Sequence, residues 1–438
     1  MKNRPHRFYL PTASRIRWML ATLWCFCIGL CHTAIAEELS LATALKMAQD
    51  HNHDLRLSSL GFESAKAATM IAHAAPNPTL SVQTASYNPR TGVGPGGLRD
   101  KTLDTTIRID QLIERGGKRE LRTENAHHLE LAAQSDVKDV ARQVRLTVSQ
   151  AYFDLLAAQE KQKIIDETTR LFDDTLHAAE KRKKAGDLAG ADVERIRVDA
   201  LLARADARQA QADLDNTRLA LAVLLSMRDN AAGLHASDRW PEITPAVPDE
   251  AVAKLAERRP DVQAAMERVN AAEAGLKLAR ASRIRDISVG VQFEHFPSND
   301  PANPSSSNNT YGVGVQIPLF VRYDNRGEIR AAEVALESAQ ETLEKTRDAA
   351  CANIGRALQD LQAATERAAS FRDDVLPAAE KSSSAAEYAF RSGASGAMDV
   401  IDARRTYRAT QLAALDAQAD YAKALAAWHA AVPEDDTP

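Results

Sequence analysis

The sequence predicts a mainly α-helical, internally duplicated protein with a transmembrane β part, built from four strands and two long helical hairpins per chain. Three observations predict it. A short alternating strand leads into a stretch free of proline and glycine from Arg119 to Lys184, which as one helix would reach roughly 100 Å. The same design recurs 207 residues later: Asp192-Val193 answers to Asp399-Val400, Gly186 to Gly393, Arg119 to Arg326, Leu112 to Leu319, Ser81-Val82 to Ser288-Val289, and Asp54 to Asp261. Ordered matches at one offset mark two copies of a structural unit. Beyond the N-terminal segment no run approaches 18 consecutive apolar residues, so a membrane helix is not expected. A barrel strand, by contrast, needs only about ten residues with alternate ones apolar.

The 438 residues carry a net charge of −5, with 55 Lys and Arg against 60 Asp and Glu, and so no basic footprint for nucleic acid. Aromatic residues are only 5% while alanine is abundant, which suits long helices in close contact better than a thick globular core. Lys2, Arg4, Arg7, Arg15 and Arg17 precede an apolar run from Trp18 to Cys31, and Ala34-Ile35-Ala36 offers a cleavage site. Residues 1–36 are therefore expected to be a signal peptide; a run of about 14 residues is short of the roughly 20 a spanning helix needs. Cys25, Cys27 and Cys31 fall within it, and Leu30 disfavours lipid attachment at Cys31. The exported chain then keeps Cys351 alone and can form no internal disulfide.

The first repeat is expected over 37–227. Ser40 to Asp50 reads as a short helix capped by Ser40, and Asp54 to Ala75 as a second, stopped by Pro76-Asn77-Pro78. A strand over 79–87 sets Leu80 and Val82 opposite Ser81 and Gln83. A loop rich in glycine and proline, 88–97, returns the chain into a strand over 102–112, where Leu103, Thr105, Ile107 and Ile109 alternate with Asp104, Thr106, Arg108 and Asp110. A helical hairpin over 119–226 follows. Its first arm ends in Lys181-Arg182-Lys183-Lys184, which complement a helix C-terminus, with Gly186 as the left-handed cap.

Residues 228–249, with Asn230, Gly233, Pro241, Pro245 and Pro248, read as a linker. The second repeat, 250–432, repeats the programme: short helices, strands over 287–296 and 310–319 around a polar loop, and a hairpin over 327–432 turning at 393–396. Pro377 is expected to kink or interrupt its outgoing arm. Residues 433–438 are expected to be a disordered tail.

Four strands cannot seal their own edges in lipid, where each unpaired backbone group costs several kcal/mol. Two chains would make eight strands, a barrel filled by side chains; three make twelve, with room for water, and a homotrimer is expected. Its barrel would continue as a hollow helical cylinder. Asp104, Arg108, Asp110 and Glu294 lie on the polar strand faces and are candidates for the barrel lumen. The competing arrangement packs two exposed hairpins on helices, as in a periplasmic coiled-coil scaffold.

Over essentially the whole exported chain this arrangement resembles the TolC family of outer-membrane efflux channels. Gln111-Leu-Ile-Glu-Arg-Gly-Gly-Lys-Arg119 and Ile317-Pro-Leu-Phe-Val-Arg-Tyr-Asp-Asn-Arg-Gly-Glu-Ile329 are similar to the strand-to-helix junctions of its CzcC-like branch, the channels of cobalt-zinc-cadmium resistance. The resemblance implies a trimer in the Gram-negative outer membrane that reaches into the periplasm. It docks by its tip to an adaptor protein and a proton-driven inner-membrane pump of the RND type. The channel itself is passive and carries no cofactor.

Ala397-Met-Asp-Val-Ile-Asp-Ala403 resembles the segment that constricts the closed tunnel in that family. Asp399 and Asp402 are three apart, hence on one helix face, and a trimer would set up to six carboxylates around a throat that favours cations. The other explanation of Asp399 is that it complements the helix dipole from the first turn; that fits Asp192, its counterpart in the first copy, equally well and explains Asp402 poorly. Arg195 stands where the second copy has Asp402. The family pattern has an arginine shortly before the acidic pair; here Ser395 stands near that place, so Arg195, Arg391 and Arg404 are candidates for the basic residue that locks the closed tip.

His51, His53, His127 and His128 match no zinc spacing and read as solvated side chains, so no metal site is expected. No nucleophile constellation, phosphate loop or catalytic acid pair appears, which argues against an enzyme. The function expected is passage of heavy-metal cations from periplasm to exterior. The alternatives are a channel of the same fold for organic drugs or secreted protein, and the scaffold.

Overall fold

The computed structural model describes residues 37–85, 87, 89–90, 103–244, 251–296, 309–392 and 394–433. The signal peptide expected over 1–36 lies outside the described residues, as do most of the loops expected over 88–97 and 297–309, the end of the linker, and the tail beyond Pro433. Six strands are described: β1 (Glu37–Leu39), β2 (Thr79–Ala85), β3 (Asp104–Ile113), β4 (Leu234–Ala236), β5 (Ile287–His295) and β6 (Asn309–Gln316). The helices are α1 (Leu41–His51), α2 (His53–His73), α3 (Lys118–Ala185), α4 (Gly190–Leu224), α5 (Val252–Glu257), α6 (Pro260–Ala281), α7 (Arg326–Ser370), α8 (Leu376–Arg391) and α9 (Ala397–Ala431). The duplication is visible in helix starts, since Gly190 and Ala397, like His53 and Pro260, stand 207 residues apart. No helix among the described residues is long and apolar enough to cross a membrane.

The chain divides into two compact units. One holds the described residues of 48–150, 242–377 and 420–433, and with them a four-stranded antiparallel sheet in the order β2-β3-β5-β6. Its register aligns alternate residues into rows. Leu80, Ile109, Val291 and Val313 form one, Val82, Ile107, Phe293 and Tyr311 the next. Between them run Ser81, Arg108, Gln292 and Gly312, then Gln83, Thr106, Glu294 and Thr310. The apolar rows are open to the surroundings, with Tyr311 82% and Val313 78% exposed. A two-faced sheet whose greasy side is uncovered is what a lipid-facing wall requires. The helices beside it pack through alanines and branched aliphatic side chains: Val262, Ala265 and Val269 of α6 against Leu343, Ala350, Ile354 and Ala357 of α7, with Leu255 and Ala256 of α5 and Ala431.

The Glu114 to Lys118 segment explains one junction motif residue by residue. Gly116 and Gly117 turn the chain at φ 76° and 69°, a region that side chains make costly. Lys118 Nζ then donates to the Ile284 carbonyl at 2.7 Å and pairs with Asp286 at 2.9 Å, while the Arg115 amide donates to Asp286 at 2.9 Å. Arg122 grips Glu114 at 2.6 Å and the Ala72 carbonyl at 3.1 Å, and its hydrogen bond holds the Glu114 carboxyl below its ordinary range. A Cβ on Gly116 would stand 2.7 Å from Ile284 Cδ1. Gly116→Ala is expected to cost about 2 kcal/mol, from left-handed strain plus the clash, and to lower the unfolding midpoint in detergent. Gly117→Ala, where the added Cβ meets nothing, is expected to cost about half as much.

The other unit holds the described residues of 37–47, 151–241 and 378–419. Here β1 and β4 pair in parallel, Glu37 with Leu234 and Leu39 with Ala236, so that β4 is a strand inside the stretch expected to be a linker. Three residues are too short for periodicity to reveal; side chains of α3 hold them. The Tyr152 hydroxyl, fully buried, lies 2.9 Å from the Leu39 carbonyl and 3.0 Å from Asp238, and burial pushes its pKa up to about 12. Gln159 accepts from the Ala236 amide at 2.8 Å, and Trp240 stacks on Phe153.

Other departures are local. The strand expected over 310–319 stops at Gln316, because Pro318 has no N–H for a ladder. The strands expected over 79–87 and 102–112 span Thr79–Ala85 and Asp104–Ile113. At Pro377 the outgoing arm is interrupted one turn upstream, by a π-helical segment, Phe371–Val375, between α7 and α8. The Leu376 amide reaches back to the Phe371 carbonyl, so the wider turn absorbs the site where proline breaks the α ladder.

Candidate functional site

Within the second unit, α3 and α4 form one hairpin, α8 and α9 another. The first turn is built by its sequence: Gly186 at φ 87° donates to the Lys183 carbonyl at 3.1 Å, and Asp187 to the Arg182 carbonyl at 2.9 Å. These are the paired bonds that close a helix on a left-handed glycine. In α4, Val193, Ile196, Ala200 and Ala203 recur on one face and pack on Phe172, Leu176 and Ala179 of α3, joined by Ile401 of α9. An open cleft of about 490 Å³ lies between the hairpins, with Ala178, Ala179, Leu188, Ile196, Val400 and Ile401 in its wall and Glu387 and Arg404 among its charges.

Asp399 is exposed in the first turn of α9 and accepts from the Gly396 amide at 3.1 Å, so it caps its helix. Asp402, with its side chain 67% exposed, stands 3.3 Å from Arg405. Asp192 is half-buried in the first turn of α4. The three lock candidates are placed differently. Arg404 pairs with Glu387 at 2.9 Å across its own hairpin, and Arg391 lies 3.9 Å from the same carboxylate while largely exposed. Arg195 is exposed and forms no ion pair among the described residues. The Ser395 hydroxyl is buried without a hydrogen-bond partner there.

Sequence reasoning missed the ion pairs that join the two hairpins. Arg405 of α9 binds Asp199 of α4, and Arg408 binds Asp206 at 2.8 Å. Asp199 is only 8% exposed, and its second oxygen has no partner among the described residues. The signal was in the pattern: Asp199 falls inside the buried file of Val193, Ile196, Ala200 and Ala203, where a carboxylate needs a partner. Arg405 thus touches both the buried Asp199 and the exposed Asp402.

On the polar face of the sheet, Arg108 forms a two-pronged pair with Asp110, both bonds 2.7 Å, and donates to Gln292 at 3.3 Å. Asp104 and Glu294 share that face, half-buried. His128 contacts Glu267 at 2.7 Å, and no group of three or more His, Cys, Asp or Glu among the described residues is placed to hold a metal ion.

The family model of outer membrane efflux proteins matches residues 44–226 and 251–432. The cobalt-zinc-cadmium resistance protein CzcC of Cupriavidus metallidurans is 26% identical over 85% of this chain and 84% of its own. The pyoverdine export outer membrane protein OpmQ of Pseudomonas putida is 28% identical over 98% of this chain and 93% of its own. A solved structure of CusC superposes with a TM-score of 0.73 at 20% identity, covering 91% of this chain and 94% of that one.

Proposed function

The chain belongs to the outer membrane efflux protein family, and with its fold shared by solved channels it is a transport protein rather than an enzyme; within that family, we propose that it conducts heavy-metal cations. It lies in the outer membrane and extends into the periplasm. Its cargo is of the cobalt, zinc and cadmium class, delivered through a periplasmic adaptor by a proton-driven pump. The observation that carries this reading is the likeness to a cobalt-zinc-cadmium resistance protein over most of both chains. The acidic pair Asp399 and Asp402 at the head of α9 is in keeping with it, since carboxylates favour cations at a constriction. The working form is a homotrimer of twelve strands. Its support is that β2 and β6 leave the sheet with two edges and an uncovered apolar face, which in lipid must be completed by other copies.

The likeness to a pyoverdine export protein favours a second reading, an organic cargo on the same fold. Loss of the gene separates the two. Under the first, the tolerated concentration of zinc, cobalt or cadmium falls severalfold while tolerance of dyes and detergents holds. Unchanged metal tolerance with loss of dye and detergent resistance would transfer the assignment to the second.

A further inference from the structure

An arginine on the wall of a water-filled barrel would ordinarily extend into the bore and repel cations. Arg108 does not extend. Its guanidinium folds back along β3 onto Asp110, two residues on and on the same face, with both oxygens engaged at 2.7 Å. Neighbouring strands lie about 4.8 Å apart, and the group reaches sideways past β5 as far as β6. Glycine makes the room. Asp110 is in register with Gly290, and Gly290 with Gly314. A Cβ on Gly290 would collide with Asp110 Oδ1 and stand 2.9 Å from Arg108 Nη2; one on Gly314 would stand 3.2 Å from the same nitrogen. In the adjacent row a Cβ on Gly312 would lie 3.0 Å from Gln292 Cγ, crowding the amide that accepts from Arg108 Nη1 at 3.3 Å.

Glycine within a strand weakens it, and three of them on one face of β5 and β6 mark a place where another group must come close. We propose that the glycine cradle of Gly290, Gly312 and Gly314 holds the Arg108–Asp110 pair flat against the barrel wall, cancelling the arginine's charge so that the bore remains selective for cations. With the pair neutral, Glu294 carries the charge of the next polar row; it makes no ion pair among the described residues. Arg108 and Asp110 are thus specificity-determining residues of the barrel, remote from the tip. The inference rests on the reading of the sheet as one third of a water-filled barrel.

Reversal potentials of the full-length protein in planar bilayers under a potassium chloride gradient test both. Asp110→Asn keeps the shape but uncovers three positive charges at one level of a trimer, and the cation-to-anion permeability ratio is expected to fall roughly fivefold. Arg108→Gln uncovers three carboxylates and is expected to raise it by a similar factor. The double variant returns close to wild type, which also shows that the sheet still folds. Channels whose reversal potential ignores both single changes would overturn the inference and leave the channel standing. Absence of any conductance from the wild-type protein would remove the channel reading and the inference with it.

Discussion

Replacing Arg405 and Arg408 together by serine is expected to raise single-channel conductance severalfold, because these two guanidinium groups tie α9 to the first hairpin. Arg405 binds Asp199, whose side chain is 9% exposed, and Arg408 binds Asp206 at 2.8 Å. Removing one partner of a buried pair typically costs 3–5 kcal/mol, since the other charge stays buried without compensation. Arg405 is itself half exposed, so solvent screens the pair and about 2 kcal/mol is the better figure. At 1.4 kcal/mol per factor of ten that shifts a closed-to-open balance roughly thirtyfold. The control is charge exchange: Asp199→Arg with Arg405→Asp restores attraction across the same gap and is expected to return conductance toward the wild-type level. Conductance unmoved by the double serine variant would show that the pairs hold the hairpins together without gating them.

Long-range organisation was legible from sequence because it rests on repetition and period. The strands Ile287–His295 and Asp104–Ile113 each carry a run of alternating residues long enough to fix a face, and the repeat offset locates the hairpin turns. The pair Glu37–Leu39 and Leu234–Ala236 was not legible. Its pairing partners are distant, and the ties that order it, Tyr152 and Gln159, sit on a helix whose pattern says nothing about what lies alongside. The same limit applies to the tip. Arg195, Arg391 and Arg404 stood out as basic residues near an acidic motif, whereas Arg405 differs from Arg404 only in which side of α9 it leaves from. One residue of rotation on a helix is about 100°, enough to exchange a partner on the same hairpin, Glu387, for one on the other, Asp199. The junction motif was read as a family mark; the geometry gives each residue its work, from the left-handed glycines to the Lys118–Asp286 bridge.

Asp399→Ala with Asp402→Ala is expected to raise the concentration of a trivalent cation needed to block the channel by tenfold or more. A trivalent ion is a sharp probe, since its attraction to each carboxylate is three times that of a monovalent ion at equal distance. The two residues contribute unequally. Asp399 already spends one oxygen on the Gly396 amide and caps α9, so its removal weakens the helix start by about 1 kcal/mol as well as the field. Asp402 has no such duty, and its 67% exposure leaves it available to an ion, but Arg405 at 3.3 Å partly offsets its charge. The single variants therefore separate the roles. Asp402→Ala is expected to account for most of the lost block, with helix stability unchanged. Asp399→Asn, which can still accept from the amide, is expected to retain the cap and lose its share of the block. Removing Arg405 acts in the opposite sense on the same carboxylate, so Arg405→Ser should bind the trivalent ion more tightly even as it widens the pore. Conductance and block affinity rising together in that one variant is a signature that simple loosening of the tip cannot produce. Unaltered block in the double alanine variant would take the throat away from this segment and return Asp399 to helix capping alone.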